Sequence, residues 1–122
     1  MIRLPYQDGY LLIPQPAHAW ISGQLAQHWG QDDASHPNPH SAIVIATTLH
    51  DAGWLEKDGL PLVNEDNQPL HFLDPKLDDV EGMYRRCVNY ASQVDPYAGI
   101  LVSRHIQMIF QSRVDYGRDP IE

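Results

Sequence analysis

The residues best equipped for chemistry are His50 and Asp51, adjacent at the end of the apolar run from Ile43 to Leu49. Leaving either polar group unpaired among apolar side chains would cost several kcal/mol, so the pair calls for hydrogen-bond partners or a bound cation. The dipeptide alone is weak, because a chain this rich in His and Asp holds about one such pair by chance. Two further histidines strengthen it. His18 shares helical spacing with Ile21, Leu25 and Trp29, and His105 shares it with Ile100, Leu101 and Met108. Three helices would then each turn a ligand inward, and imidazole with carboxylate suits a divalent transition metal, Mn, Fe or Zn. An ion held by His18, His50, Asp51 and His105 would keep positions open for water and substrate. It would lower the pKa of a bound water and polarise a phosphoryl oxygen, with Asp51 as the catalytic group that orients or deprotonates that water.

Each residue also has a plainer reading. A lone His on an apolar stripe is more often a hydrogen-bonded core histidine, and Asp51 could cap or salt-bridge a helix end. His28, His36, His40 and His71 fall in polar or loop contexts and are expected to be solvated. Arg104 could face a phosphate, but adjacent helical positions point about 100° apart, so a solvated face is favoured over one shared with His105. Trp54, Tyr97, Phe72 and Leu73 could shape a pocket, although aromatics in such places usually belong to the core.

The elements that must position these groups can be read from periodicity and punctuation. Residues 2 to 13 predict a hairpin turning at Asp8-Gly9. Helices are predicted over 16–29, with Pro16 at its first position, and over 39–52, started by Asn38-Pro39 or Ser41 and stopped by Gly53. From Leu55 to Lys76 no period is sustained and Gly59, Pro61, Pro69 and Pro75 punctuate the chain. Its apolar residues predict a loop that packs down as a lid with a small hairpin. Asp78 with Glu81 resembles a capping box opening a third helix, whose face carries Val80, Met83, Tyr84, Cys87, Val88, Ala91 and Val94. Asp95-Pro96 caps a fourth that runs to about Ser112. The expectation is a mostly α domain of about four helices, with an N-terminal hairpin and a long loop between helices two and three.

Composition narrows the function. At 122 residues the chain reads as one domain, 1–122, able to bury about two-thirds of its extended-chain surface. Its net charge of −8 argues against a reader of the nucleic-acid backbone, which needs clustered Lys and Arg. Only Arg85, Arg86 and Arg104 fall within the predicted helices, so a polyanionic partner would need a metal to receive it, while a small phosphorylated ligand is compatible with the count. Cys87 is the single cysteine, which excludes an internal disulfide and a Cys-based zinc cluster, fits a reducing compartment, and reads best as a small core residue. There is no membrane-length apolar run and no signal-peptide pattern, so a cytoplasmic location without a membrane partner is expected. An exposed apolar helix face would encourage a homo-oligomer.

The order His18, His50-Asp51, His105 resembles the His-Asp (HD) superfamily of helical, metal-dependent phosphohydrolases. A closer likeness runs through the blocks QPAHAWISGQLAQHWG from Gln15, LHDAGWLEKDG from Leu49, QPLHFLD from Gln68 and MYRRCVNYASQVDPYAGILVSRH from Met83. Those blocks are similar to an uncharacterised family of bacterial proteins known as a domain of unknown function. The resemblance implies an HD-like helical bundle and the four ligand positions named above, and it makes a metal-dependent phosphoester hydrolase the leading reading. The alternative is a non-catalytic metal- or ligand-binding module on the same scaffold, and the plainest reading is a structural domain with satisfied core histidines. One departure stands out. The superfamily places a last Asp on a helix after the third His, whereas here Asp115 and Asp119 follow in a stretch that does not read as helix, as if the chain were shortened at its C-terminal end.

Overall fold

The computed structural model describes residues 1–30, 35–60 and 62–115. Strand β1 (Ile2–Tyr6) pairs antiparallel with β2 (Gly9–Ile13), Ile2 opposite Ile13 and Tyr6 opposite Gly9. The turn is therefore Gln7-Asp8, one residue earlier than expected, and Gln7 takes the left-handed backbone with φ of 49°. A turn at Asp8-Gly9 would draw Gln15 into the ladder opposite Ile2. Its N–H instead donates to Asp58 Oδ2 at 2.6 Å, at the start of helix α1 (Gln15–His28). Pro16 sits in the first turn of α1, where its missing N–H costs nothing.

Helix α2 (His40–Leu49) starts after Pro39 and stops three residues before the expected end. The chain then makes a 3-10 turn over Ala52–Trp54 and a single helical turn, α3 (Leu55–Asp58), so the irregular segment begins later than Leu55. Gly53 does not stop the chain; it lets it pass against helix α4 (Leu77–Val94), because a Cβ there would collide with the Met83 carbonyl and Cys87. The expected capping box is absent: α4 begins at Leu77, its N-cap residue Lys76 makes no side-chain cap bond, and Glu81 pairs with Arg85. Asp78 and Asp79 lie in its first turn, where a negative charge favours the helix N-terminus. Helix α5 (Pro96–Asp115) does receive its cap, since Asp95 Oδ1 accepts from Tyr97 N at 2.8 Å and Ala98 N at 3.0 Å. It also runs past Ser112 to Asp115.

The fold is thus mostly helical, with four long helices and an N-terminal two-stranded hairpin. Its core gathers Trp54, Val80, Met83, Tyr84, Cys87, Ala91, Val102 and Ile106 where α4 packs on α5 and the 3-10 turn. Cys87 is a buried free thiol within it. Six expected contacts fail. Ile21, Leu25 and Trp29 on α1, Val94 on α4, and Ile100 and Met108 on α5 are exposed. The helices meet instead through small residues: α1 buries Ala19 and Gly23, and α5 buries Ala98 and Gly99. A Cβ at Gly23 would strike Thr48 of α2, and one at Gly99 would strike Ser92 of α4. Such close approach leaves the larger side chains outside the contact.

The segment 62–76 packs down only in part: Leu70 and Phe72 are half-buried, whereas Leu62, Val63 and Leu73, like Leu60 before them, are exposed. It forms a turn closed by Leu70 N to Leu62 O at 3.0 Å and Asn64 N to Gln68 O at 2.8 Å, with a single bridge between Val63 and Pro69. Phe72 N donates to Met1 O at 2.8 Å, and Arg3 donates to Pro69 O at 2.8 Å, which ties the segment to β1. No helix among the described residues is long and apolar enough to cross a membrane.

Candidate metal centre

His50 is the residue that ends α2, and Asp51 follows before the 3-10 turn, so the change of helix type swings both side chains toward α1. His18 meets them from the inner side of α1. One ligand atom from each of His18, His50 and Asp51 lies within 4.8 Å of the others. Donors around a zinc-sized ion at about 2.1 Å stand about 3–4 Å apart, so modest side-chain rotations close the set.

The hydrogen bonding of His50 fixes its chemistry. Its Nδ1 lies 2.7 Å from the Thr47 carbonyl oxygen, which can only accept, so Nδ1 carries the proton. In the neutral ring Nε2 then presents a lone pair, and it faces Asp51 Oδ2 at 3.4 Å. Two acceptors face each other across that gap, an arrangement that favours a proton or a cation between them. A backbone carbonyl behind a ring nitrogen is also how metal-binding histidines are usually oriented. Asp51 is buried, and burial raises its pKa above the usual carboxylate range, against the opposing pull of His50 and His18.

His105 is near but apart. Its ring stands edge-on to His50 with centroids 5.1 Å apart, it is exposed, and it lies outside the group of three. Partial burial, followed by the neighbouring His50 and His18, lowers its pKa. The structure therefore brings three of the four expected ligands into one cluster, with the fourth at its edge. Asp115 is on a helix after all, but it is exposed and accepts from Gln111 Nε2 at 2.8 Å, away from the cluster. Asp119 lies outside the described residues.

The cluster opens into a cavity of about 500 Å³. Ile2, Phe72, Leu73, Met108 and Ile109 give it apolar walls, while Gln15, Tyr84 and Arg113 add polar groups. Phe72 and Leu73 thus line it as expected, whereas Trp54 is core and the half-exposed Tyr97 does not border it. Arg104 bonds Gln107 on the exposed side of α5.

The sequence places Tyr84 on the buried face of the third helix, where it is, but assigns no part in the site to Tyr84, Gln15 or Arg113. Arg113 was lost because α5 was ended at Ser112, although it continues the row His105, Ile109, Arg113 at four-residue spacing. Its Nη2 donates to Pro75 O at 2.9 Å, and the residue is 7% exposed. Burial, then the nearby Asp51, pushes Tyr84 up to about 12, with Arg113 pulling the other way, so its phenol stays protonated. Gln15 is 5% exposed and its Oε1 finds no hydrogen-bond partner among the described residues. Among the histidines expected to be solvated, His28 and His36 are exposed. His40 and His71 are half-buried instead, because each ring packs on a neighbour, His36 at 4.6 Å and Phe72 at 4.5 Å between centroids.

Neither the curated proteins nor the solved structures offer a match to the chain. A family does match, over residues 1–119, described as "Protein of unknown function (DUF3891)". With that match reaching from the hairpin past α5 and across the whole His-Asp cluster, the chain belongs to this family.

Proposed function

We propose that His18, His50 and Asp51 hold a divalent transition metal, Mn, Fe or Zn, with His105 as a fourth ligand that closes on it, and that the site hydrolyses a phosphoester. The observation that carries this reading is the convergence of His18, His50 and Asp51, one ligand atom of each within 4.8 Å of the others, at the lining of a cavity. A carboxylate whose burial disfavours its charge, beside an imidazole whose lone pair is aimed at it, gains most from a shared cation. When bound, the ion supplies Lewis acidity and an acidified water. Asp51 orients that water or takes its proton, and Phe72 and Leu73 shield it from bulk solvent. The order His18, His50-Asp51, His105 supports the same reading through its resemblance to the HD phosphohydrolases.

Elemental analysis of protein purified without chelator or affinity tag tests the metal. About one equivalent is expected, with a fall in Tm after chelation; absence of metal with unchanged melting overturns the reading. A panel of phosphoesters with and without Mn²⁺ then tests catalysis. A second reading, a non-catalytic metal-binding module, is favoured by the outward position of Asp115, and metal without turnover of any ester would select it.

A further inference from the structure

His18, His50 and His105 border a second cavity of about 380 Å³ as well as the first. Their rings stand edge to face, His18 at 5.5 Å and His105 at 5.1 Å from His50 between centroids. The chain passes from one cavity to the other at each of them. On α1, Gln15 borders the first cavity and Ser22 the second, with His18 between them; on α5, Met108 and Ile109 border the first and Leu101 and Val102 the second, with His105 between them. At His50 the order is the same, Ala46 and Thr47 of α2 on the second cavity and Asp51 on the first. The imidazoles therefore form a layer with a cavity on each side. The sides differ chemically. Asp51 borders the first cavity and not the second, and the described residues around the second include no Asp, Glu, Lys or Arg. Ile43, Ala46, Leu101 and Val102 give the second its apolar walls, and the protons of its two hydroxyls are committed: Ser22 Oγ donates to His18 O at 3.0 Å and Thr47 Oγ1 to Ile43 O at 2.7 Å. Beyond the histidine layer, a phosphoryl group would find neither a cation nor a hydroxyl donor there, whereas an alcohol can donate to the lone pairs those oxygens keep.

We propose that the second cavity receives the leaving alcohol of the substrate, and that this alcohol is small, uncharged and apolar. Displacement at phosphorus sets the attacking and leaving oxygens roughly in line, on opposite faces of the phosphoryl group. Asp51 holds the water on the side of the first cavity, so the leaving oxygen points across the histidine layer into the second. The water oxygen bonds to phosphorus as the bond from phosphorus to the alcohol oxygen breaks; Asp51 takes one proton from the water, and the leaving oxygen takes one from solvent. Phosphate is then released on the Asp51 side and the neutral alcohol on the apolar side. A volume of about 380 Å³ lies near the lower end of the range for small-ligand pockets. It suits one aromatic ring or a short alkyl chain better than a sugar, whose several hydroxyls would be left without partners among apolar walls.

This assignment rests on the hydrolase reading, but occupancy of the second cavity can be tested without turnover. Benzyl alcohol, with glycerol as its polar counterpart, is titrated into methyl-labelled protein, without metal and with Zn²⁺, and followed by methyl NMR. Ile43, Leu101 and Val102 report on the second cavity, and Ile2, Leu73 and Ile109 on the first. Benzyl alcohol is expected to shift the Ile43 set and not the Ile2 set, while glycerol shifts neither. Ser22→Leu extends a side chain into the second cavity and gives up a bond made only within its own helix. It is expected to weaken benzyl alcohol by about tenfold relative to Ser22→Ala, the scale for overfilling a packed space. With Mn²⁺, kcat/KM for benzyl phosphate is expected to exceed that for glycerol phosphate by at least about tenfold, as a few apolar atoms in a fitted pocket discriminate. Absence of binding, shifts confined to the Ile2 set, equal binding of glycerol, or equal affinity in the two Ser22 variants overturns the proposal. If Ser22→Leu does not fold, the wild-type shifts decide it. Equal turnover of the two esters overturns it as well. Benzyl alcohol held at Ile43 and Leu101, in a protein that takes up no metal and cleaves no ester, sinks the hydrolase reading while the apolar-alcohol site stands.

Discussion

Asp51 is under two opposed demands, since burial disfavours its charge while its neighbours and any bound cation favour it. A carboxyl whose folded pKa lies above its unfolded value destabilises the native state as pH rises from the unfolded value through the folded one. In metal-free protein, Asp51→Asn is therefore expected to raise Tm at neutral pH and to flatten the fall in stability above the usual carboxylate range. The same variant should lose the stabilisation on adding metal, which at a hundredfold excess over Kd is expected to be about 2.7 kcal/mol for the wild type. Thermal melts of both proteins across pH, with and without metal, check both halves. Cys87 gives a simpler expectation: burial pushes its thiol up to about 11, so alkylation by iodoacetamide at neutral pH should wait for unfolding. At this scale the sequence was informative where polarity conflicted with surroundings, as at His50-Asp51. Arg113 and Gln15 went unseen because their burial depends on where α5 ends and where the hairpin leaves off, which neighbouring residue types do not encode.

Helix positions came through with uneven success, for a physical reason visible in α4 and α1. The face of α4 from Val80 to Ala91 carries large apolar residues at helical spacing, and it is the face that is buried. Helix α1 has an equally regular stripe in Ile21, Leu25 and Trp29, yet packs through Ala19 and Gly23, because backbone-to-backbone approach outweighs side-chain bulk where glycine permits it. Periodicity marks a helix but does not decide which face is used. The 3-10 turn that presents Asp51 depends on such an approach at Gly53. Gly53→Ala is expected to cost about 1–3 kcal/mol by overpacking against Met83 and Cys87, measured by denaturant unfolding. Asp95→Ala, which removes the cap of α5, should cost about 1 kcal/mol in the same assay.

Across the whole molecule, the mostly helical architecture was legible from composition and punctuation, while the convergence of His18 on His50 and Asp51 is a property of how α1 crosses α2. The site is walled by sequence-distant pieces, β1, the segment around Phe72 and the end of α5, tied together by bonds such as Phe72 N to Met1 O. Large side chains that add nothing to this assembly should be dispensable. Trp29→Ser, at a position 69% exposed, is expected to shift stability by no more than about 0.5 kcal/mol in denaturant unfolding. The same contrast in burial makes the protein optically useful. Of the three tryptophans, Trp20 and Trp29 face solvent, while Trp54 is sealed and stands edge-on to Tyr84 with centroids 6.0 Å apart. Iodide will quench the emission of the first two and leave that of Trp54, whose neighbour Tyr84 borders the cavity. The residual fluorescence is then a label-free gauge of what enters the site, already built into the native chain.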